Sequence, residues 1–352
     1  MKGTSLHVKR IGPTLTPDRA RVLLRPFHPT SDEIAERMVA RVLALPDDEV
    51  ERLVQVVLDE FSDRHERVAD RLRARYLDVR RHLAGAPEPS PARQALIGAY
   101  FSHEYSPEAA ALFNPSIVPH PDQRDLPAGA LRFILSLRAT GEGHISSIGF
   151  RAGTVSAQHR ISLTPAGRFL NEPTRAPDAL YEKALFGRKL QEAGVQQDYC
   201  RLVLEQLPET FALDDLRRII ATDWQHRNAG DATADRAARG ILLLAESNYD
   251  VRFAADSQLA QRLLFPYTAS QSHGIEDARF VRFRDDDGSS TYYATYTAYD
   301  GRITLPQLLE TPDFVHFKFS TLNGPAVQNK GMALFPRRID GQYAMLSRQD
   351  DE

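Results

Sequence analysis

The chain has 352 residues, of which 42% are hydrophobic and 26% charged, as in ordinary globular proteins of one large or two smaller domains. A formal net charge of −3 gives no electrostatic basis for binding nucleic acid, and the longest aliphatic run, at 240–245, is too short to cross a membrane. A single cysteine excludes an intrachain disulfide, and the N-terminus has no apolar signal region, so we expect a cytoplasmic protein.

Residues 1–90 are expected to form an N-terminal helical extension, because apolar residues recur there at three- and four-residue spacing. Helices are predicted at roughly 32–45, 47–63 and 65–84. Ser31 is the expected N-cap of the first helix. The third is rich in arginine, but acidic residues are interspersed, which favours a solvated helix face over a binding surface. The Pro/Ala/Ser-rich stretch at 84–92 then predicts a linker.

From about residue 113 the pattern changes to short runs rich in β-branched and aromatic residues, separated by turn residues. Strands are predicted within 131–139, 144–153, 159–165, 249–253, 278–283, 291–299, 314–320, 332–338 and 342–348. Amphipathic stretches predict a helical insertion at about 177–246, in which Cys200 is expected to be a buried core residue rather than a nucleophile. Short strands joined by turns favour a sandwich, a barrel or a propeller.

The sequence contains no phosphate-binding glycine loop, no metal-ligand spacing and no serine nucleophile motif, so we predict neither a metal nor an organic cofactor. Carboxylates, arginines and tyrosines instead gather near strand ends, above all in 272–301. Carboxylate and guanidinium groups hydrogen-bond to sugar hydroxyls, and aromatic rings stack on sugar rings. A purely structural alternative makes Glu276 and Arg279 an ion pair and the tyrosines of 291–299 ordinary cross-strand neighbours.

Four motifs, in order along the chain, resemble glycoside hydrolase family 130, the family of β-mannoside phosphorylases and β-1,2-mannosidases. They are GIEDARFVRF, then YYATYTAYDG, then Lys330 shortly before the LFP of 334–336, and finally Arg348 after the next predicted strand. Upstream, FNPSIV at 113–118 and the strand pair joined by the loop RATGEGH resemble the first blade of the family. The resemblance covers roughly 110–155 and 248–352, and leaves out the N-terminal helices and the insertion.

The resemblance implies a five-bladed β-propeller. We therefore expect a mainly β fold with helical additions, in which the extension 1–90 precedes a catalytic domain at 91–352 that carries the insertion at about 177–246. About nine strands can be predicted, whereas five four-stranded blades need about twenty. The propeller is thus expected to be incomplete in this chain, as in the N-terminal part of a longer member.

The resemblance also implies an activity, the cleavage of β-mannosides with inversion. Family phosphorylases use inorganic phosphate as co-substrate and release mannose 1-phosphate, and a minority of members are hydrolases. The expected partner is an oligosaccharide or mannoside, and the sequence is compatible with a homo-oligomer. An inverting β-1,2-mannosidase and a catalytically silent sugar-binding protein are the alternatives.

Site residues follow from the same motifs. Glu142, in the loop RATGEGH, matches the position of the catalytic acid, although the family often has Gly-Asp-Asp there. Lys330 and Arg348 match positions near the phosphate, and the presence of Lys330 favours phosphorolysis. The expected substrate-binding residues are Asn114, Arg138, His144, Glu276, Asp277, Arg279, Tyr299 and Asp300, with Arg151 lining the same pocket.

Overall fold

The computed structural model describes residues 12–83, 85, 87–176, 180–226 and 231–348. Its α-helices are α1 (Asp32–Leu43), α2 (Asp47–Phe61), α3 (Val68–Val79), α4 (Pro91–Tyr100), α5 (Lys183–Glu192), α6 (Gln197–Gln206), α7 (Leu213–His226) and α8 (Ala232–Glu246). Short 3₁₀ turns occur at Arg80–Leu83, Glu142–His144, Leu259–Gln261 and Ala269–Gln271.

The strands are β1 (Leu23–Pro26), β2 (Ser102–Tyr105), β3 (Ala111–Pro119), β4 (Leu131–Thr140), β5 (Ser146–Val155), β6 (Ile161–Leu163), β7 (Thr174–Arg175), β8 (Tyr181–Glu182) and β9 (Thr210–Phe211). They continue with β10 (Tyr249–Arg252), β11 (Leu263–Leu264), β12 (Gly274–Arg284), β13 (Ser290–Tyr299), β14 (Thr304–Thr311), β15 (His316–Thr321), β16 (Ala333–Leu334) and β17 (Met345–Leu346).

The first four helices pack together around an apolar core that includes Val39, Tyr76 and Ile97. Helix α1 begins where the sequence predicts, because the Ser31 side chain accepts a hydrogen bond from the backbone N–H of Ile34. Helix α4 was not predicted; it begins at Pro91, inside the stretch 84–92 that was expected to be a linker, and packs on α3. A Cβ atom at Gly98 of α4 would lie 1.9 Å from a backbone oxygen of α3, so only glycine allows this approach.

One large sheet forms the main body of the molecule. Its strand order is β3-β4-β5-β12-β13-β14-β15-β10-β7, and β6 and β11 also pair with β5. The pairs between these strands are antiparallel, except for a parallel bridge that joins β5 to β12. Its core is rich in aromatic side chains, among them Phe150, Phe280 and Phe317. The fold is therefore mainly β with one large sheet and several helices, as predicted; the described ranges do not show a closed barrel or propeller.

The two strands predicted last along the chain differ most from expectation. Runs 332–338 and 342–348 yield only the two-residue strands β16 and β17, which pair with each other and stay outside the large sheet. The segment between them bends at Pro336 and turns at Asp340 and Gly341, because proline and glycine interrupt the pattern of the apolar residues.

Helices α5–α8 occupy the span where the sequence predicts an insertion, and they enclose a core of their own. Residues 177–179 and 227–230 of that prediction lie outside the described residues, as do 1–11, 84 and 86 of the predicted extension. Cys200 is buried in this core, as predicted, and burial raises the pKa of its thiol to about 11. In the described part of the chain, no helix combines the length and apolar character needed to span a bilayer.

Candidate functional site

The strand ends that carry the predicted residues meet in one row across the large sheet. Ser146, at the start of β5, pairs with Gly274, at the start of β12, and Gly274 pairs with Tyr299, at the end of β13. The loop before β5, at 141–145, and the loop after β13, at 300–303, therefore emerge at the same end of the sheet. Residues from distant motifs are thereby gathered at one edge.

The glycine at position 274 allows β12 and β5 to approach each other closely at this junction. Its φ angle is 147°, and an added Cβ atom would lie 2.9 Å from both the backbone nitrogen and the Cβ of Ser146. A side chain at Gly274 would thus push β12 away from β5. The glycine that opens the GIEDARFVRF motif is needed where the two parts of the sheet join.

Two β-bulges place polar side chains opposite each other. The register of β3 shifts around Asn114, and that of β12 shifts around Asp277. Both residues have left-handed backbones, with φ of 49° and 53°, a conformation that Asn and Asp tolerate better than most residues. The Asn114 amide donates a hydrogen bond to Oδ1 of Asp277. The bulges thus re-aim both side chains toward one point.

Arg138 of β4 joins the two acidic residues of β12. Its Nη2 lies 2.6 Å from Oε1 of Glu276, and its Nη1 lies 3.2 Å from Oδ1 of Asp277. Its Nε donates to Oγ of Ser146 at 2.9 Å, and the guanidinium group stands 5.0 Å from the centroid of the Phe113 ring. One arginine with three directed contacts therefore fixes two carboxylates. We call Asn114, Arg138, Glu276 and Asp277 the arginine–carboxylate cluster.

Glu276 does not pair with Arg279, so the structural alternative for this motif is wrong in that detail. The carboxylate of Glu276 is buried against Arg138, whereas Arg279 is exposed to solvent. Within the described residues Arg279 forms no ion pair, so it stands apart from the arginine–carboxylate cluster.

Tyr299 and Asp300 shape the turn between β13 and β14. Oδ1 of Asp300 accepts hydrogen bonds from the backbone N–H groups of Arg302, at 2.8 Å, and Ile303, at 2.7 Å. These bonds, that of Ile303 first, lower the pKa of the Asp300 carboxyl. The Tyr299 hydroxyl donates to the carbonyl of Gly301 at 2.9 Å. Asp300 is therefore a fixed carboxylate at the same end of the sheet as the cluster.

Glu142 and His144 lie on the 3₁₀ turn that joins β4 to β5, and both are exposed. The Tyr105 hydroxyl holds this turn by donating to the carbonyl of Glu142 at 3.0 Å. Burial, and then the charge of Glu142, raise the pKa of Tyr105 to about 12. Within the described residues neither Glu142 nor His144 contacts the arginine–carboxylate cluster; they share its end of the sheet only.

Lys330 and Arg348, the predicted phosphate ligands, lie next to each other. Nη2 of Arg348 donates to the carbonyl oxygen of Lys330 at 3.4 Å. The two residues after Lys330, Gly331 and Met332, line a small cavity together with Asp277. The volume of this cavity is about 10 Å³, enough for about one water molecule. The segment that carries Lys330 thus borders the arginine–carboxylate cluster.

Arg151 does not belong to this site, which corrects the expectation that it lines the same pocket. It is buried, and its Nη2 lies 2.8 Å from Oε1 of Glu108, an oxygen that also binds Arg21. No sequence signal pointed to Glu108. Phe113 and Ser146 contact Arg138 but were also missed, although Phe113 directly precedes Asn114 in the FNPSIV motif.

No group of three or more His, Cys, Asp or Glu side chains is arranged to hold a metal ion in the described part of the chain. The carboxylates that gather at the site contact guanidinium and amide groups instead. Such a constellation can hold hydroxyl groups, because it offers both hydrogen-bond donors and acceptors in fixed positions.

Comparison with known proteins gives one informative relationship. No protein-family model matches the chain. No solved structure matches it either. A beta-1,2-mannobiose phosphorylase of Listeria innocua serovar 6a (strain ATCC BAA-680 / CLIP 11262) is 33% identical over 85 residues, which are 24% of this chain and 22% of the relative. The chain is thus similar to a mannobiose phosphorylase over about a fifth of that protein's length.

Proposed function

We propose that this chain is a carbohydrate-active enzyme that cleaves β-mannosidic bonds with inversion. The observation that carries the proposal is the arginine–carboxylate cluster, formed by residues of the motifs that resemble glycoside hydrolase family 130. The partial similarity to a beta-1,2-mannobiose phosphorylase supports a mannoside as the substrate class.

The arginine–carboxylate cluster would hold a mannose unit. The Asp277 side chain remains 21% exposed although it contacts Arg138, so it is accessible to a ligand at the sheet edge. Its carboxylate accepts hydrogen bonds from hydroxyls, and Asn114 and Arg138 fix its orientation before the sugar arrives. Positioning of this kind lowers the entropic cost of reaching the reactive geometry. Glu276, which is more buried, acts mainly through Arg138.

Glu142 is the proposed proton donor. Its loop lies at the same end of the sheet as the cluster, and its exposed side chain is available to the glycosidic oxygen. Asp300 lies on the neighbouring loop, but backbone hydrogen bonds lower the pKa of its carboxyl. Asp300 is therefore ionised at neutral pH, which suits an acceptor for sugar hydroxyls better than a general acid.

Phosphorolysis is the proposed reaction type. An inverting enzyme needs a second carboxylate to activate water or a bound anion that attacks directly. The contact of Arg348 with the backbone of Lys330 supports the second arrangement, because it brings two cationic residues to one part of the surface, where their side chains would attract a phosphate ion. His144, Tyr299 and Arg279 would contribute contacts at the rim.

The proposal is tested by product analysis. The protein is incubated with β-1,2-mannobiose and with β-1,4-mannobiose, with and without inorganic phosphate. Mannose 1-phosphate that forms only when phosphate is present is the expected result. Free mannose formed equally with and without phosphate would support an inverting β-1,2-mannosidase. Sugar binding without either product would support the catalytically silent alternative.

The acid is tested by two matched substitutions, Glu142→Gln and Asp300→Asn. If Glu142 is the proton donor, Glu142→Gln abolishes turnover and keeps affinity for the sugar, whereas Asp300→Asn weakens sugar binding. Loss of turnover with unchanged affinity in Asp300→Asn, together with an active Glu142→Gln, would contradict the assignment.

A further inference from the structure

A second cavity lies between helix α5 of the insertion and strands β10 and β15 of the large sheet. Its volume is about 290 Å³, close to the lower end of the range for small-molecule sites. Its apolar wall includes Leu185, Phe186 and Phe319. The residues of the proposed mannoside site do not line it.

Two lysines face this cavity from opposite sides, Lys189 of α5 and Lys318 of β15. The ammonium group of Lys189 donates to Oδ1 of Asn248 at 2.7 Å. Asn248 is itself fixed, because its amide donates to the carbonyl of Leu244 at 2.6 Å and its Oδ1 also accepts from the backbone N–H of Thr321 at 3.2 Å. Lys189 is thus held in place and keeps donors for a ligand.

Neither lysine forms an ion pair within the described ranges. Glu182 and Asp250 also line the cavity, and Asp250 of β10 and Glu310 of β14 lie directly opposite Lys318 on the neighbouring strands. Among the described residues, no salt bridge joins these carboxylates to either ammonium group. Burial and then the charge of Lys318 lower the pKa of Lys189. Lys189 is partly buried beside an apolar wall, and a bound anion would relieve its repulsion with Lys318 and replace part of its lost hydration.

The choice of lysine at these positions is unusual for this sequence. Of its 44 basic residues only six are lysines, and these are Lys2, Lys9, Lys183, Lys189, Lys318 and Lys330. Lysine binds phosphate as a compact charge with rotatable donors, whereas arginine favours planar bidentate partners. Two of the few lysines lining one cavity therefore point to a phosphate rather than to a structural carboxylate.

We propose that this cavity binds the phosphate monoester of a small organic molecule, with the phosphate between Lys189 and Lys318 and the organic group against Leu185 and Phe186. A phosphate monoester carries a charge of about −1.5 to −2 at pH 7, which matches two ammonium groups, whereas a carboxylate neutralises only one. The site is separate from the proposed mannoside site and does not depend on it.

The test is calorimetric titration of the whole chain with phenyl phosphate, which combines a dianion with an apolar ring. Benzoate, which has the ring but a single negative charge, and inorganic phosphate, which lacks the ring, serve as comparison ligands. We expect phenyl phosphate to bind more tightly than either of them. Lys189→Met and Lys318→Met should each weaken its binding by about tenfold or more, because each removes one charge partner. Arg188→Met, which changes an exposed basic residue on the same helix, is the matched control and should bind normally.

Lys330→Met separates this proposal from the proposed catalytic function. Binding of phenyl phosphate that survives in Lys330→Met but falls in Lys318→Met supports the second site, whether or not the chain cleaves mannosides. Binding lost in Lys330→Met and retained in Lys189→Met and Lys318→Met would overturn the proposal, as would the absence of binding to the unaltered protein. Because Lys318 is exposed on the sheet, its replacement leaves the fold intact, and circular dichroism verifies this.

Discussion

Arg138 shows why the site depends on particular residues rather than on their charges alone. Its guanidinium group contacts Glu276, Asp277 and Ser146 at the same time, through three different nitrogen atoms. A lysine at this position would supply one charge but could not reproduce this planar set of donors. The directed contacts of Arg138 therefore define where the two carboxylates stand.

We expect Arg138→Lys to reduce mannobiose cleavage by on the order of 100-fold, because the carboxylates of β12 would be mispositioned. The measurement is kcat/KM for the substitution and for the unaltered protein. Arg282→Lys is the matched control, since Arg282 is an exposed arginine of β12 that has no place in the proposed site. Equal losses in the two variants would contradict the role given to Arg138.

Cys200 gives a second prediction for a single residue. Burial raises the pKa of its thiol to about 11, so the thiol is both protonated and inaccessible at pH 8. We expect no reaction with a thiol-specific chromogenic disulfide reagent in the native protein, and one equivalent of reaction in denaturant. Rapid stoichiometric labelling of the native protein would show that helix α6 is not packed as described.

The sequence identified Glu276, Asp277, Asn114 and Arg138 as candidates, but it could not identify their pairing. Arg138 and Glu276 are far apart along the chain, and their contact depends on the junction of β5 with β12. The structural alternative drawn from the sequence paired Glu276 with Arg279, its near neighbour along the chain. Local spacing is a poor guide to pairing where a bulge breaks the alternation of a strand.

At the scale of elements, the junction between β5 and β12 controls the site. It joins the β3-β4-β5 strands, which supply Asn114 and Arg138, to the strands that supply Glu276 and Asp277. Strands β5 and β12 pair through a parallel bridge at the point where Gly274 and Ser146 approach closely, and the contacts of Asn114 and Arg138 with β12 add to it.

We expect Gly274→Ala to destabilise the protein by about 1–3 kcal/mol, because the added methyl group meets Ser146 and the backbone has a positive φ. It should also reduce activity, since β12 would move relative to Arg138. Thermal unfolding and the mannobiose assay measure the two effects. Gly288→Ala is the control: Gly288 also has positive φ, but open space surrounds its Cβ position. That variant should lose some stability and keep its activity.

Most helices could be predicted from apolar spacing, whereas α4 could not. The Pro-rich stretch at 84–92 resembles a linker, yet its Ser90 caps the helix and its Pro91 occupies the first turn. A serine N-cap and a proline in the first turn are both typical of a helix start. The prediction missed them because the composition of the whole stretch is typical of a linker. Tertiary packing of α4 against α3 then stabilises a helix that could not be predicted from its local sequence.

At the scale of the whole molecule, the order of strands in the large sheet follows from contacts between distant segments. Strand β10, which precedes β12 in sequence, lies beside β15, on the far side of the β12–β15 hairpins. Pairing of this kind cannot be deduced from the alternation within one strand. The class of fold, mainly β with helices, could be predicted from the composition and from the spacing of apolar residues along the chain, because both depend only on local sequence.

The most direct test of the account is to follow the cleavage of β-1,2-mannobiose by proton NMR in the presence of inorganic phosphate, with the unaltered protein and with Asp277→Asn. Inversion at a β-mannoside predicts that the first product has the α configuration, as mannose 1-phosphate, and that Asp277→Asn lowers its rate of formation by on the order of 100-fold. A first product of β configuration, or equal rates for the two proteins, would contradict an inverting mannoside site at the arginine–carboxylate cluster.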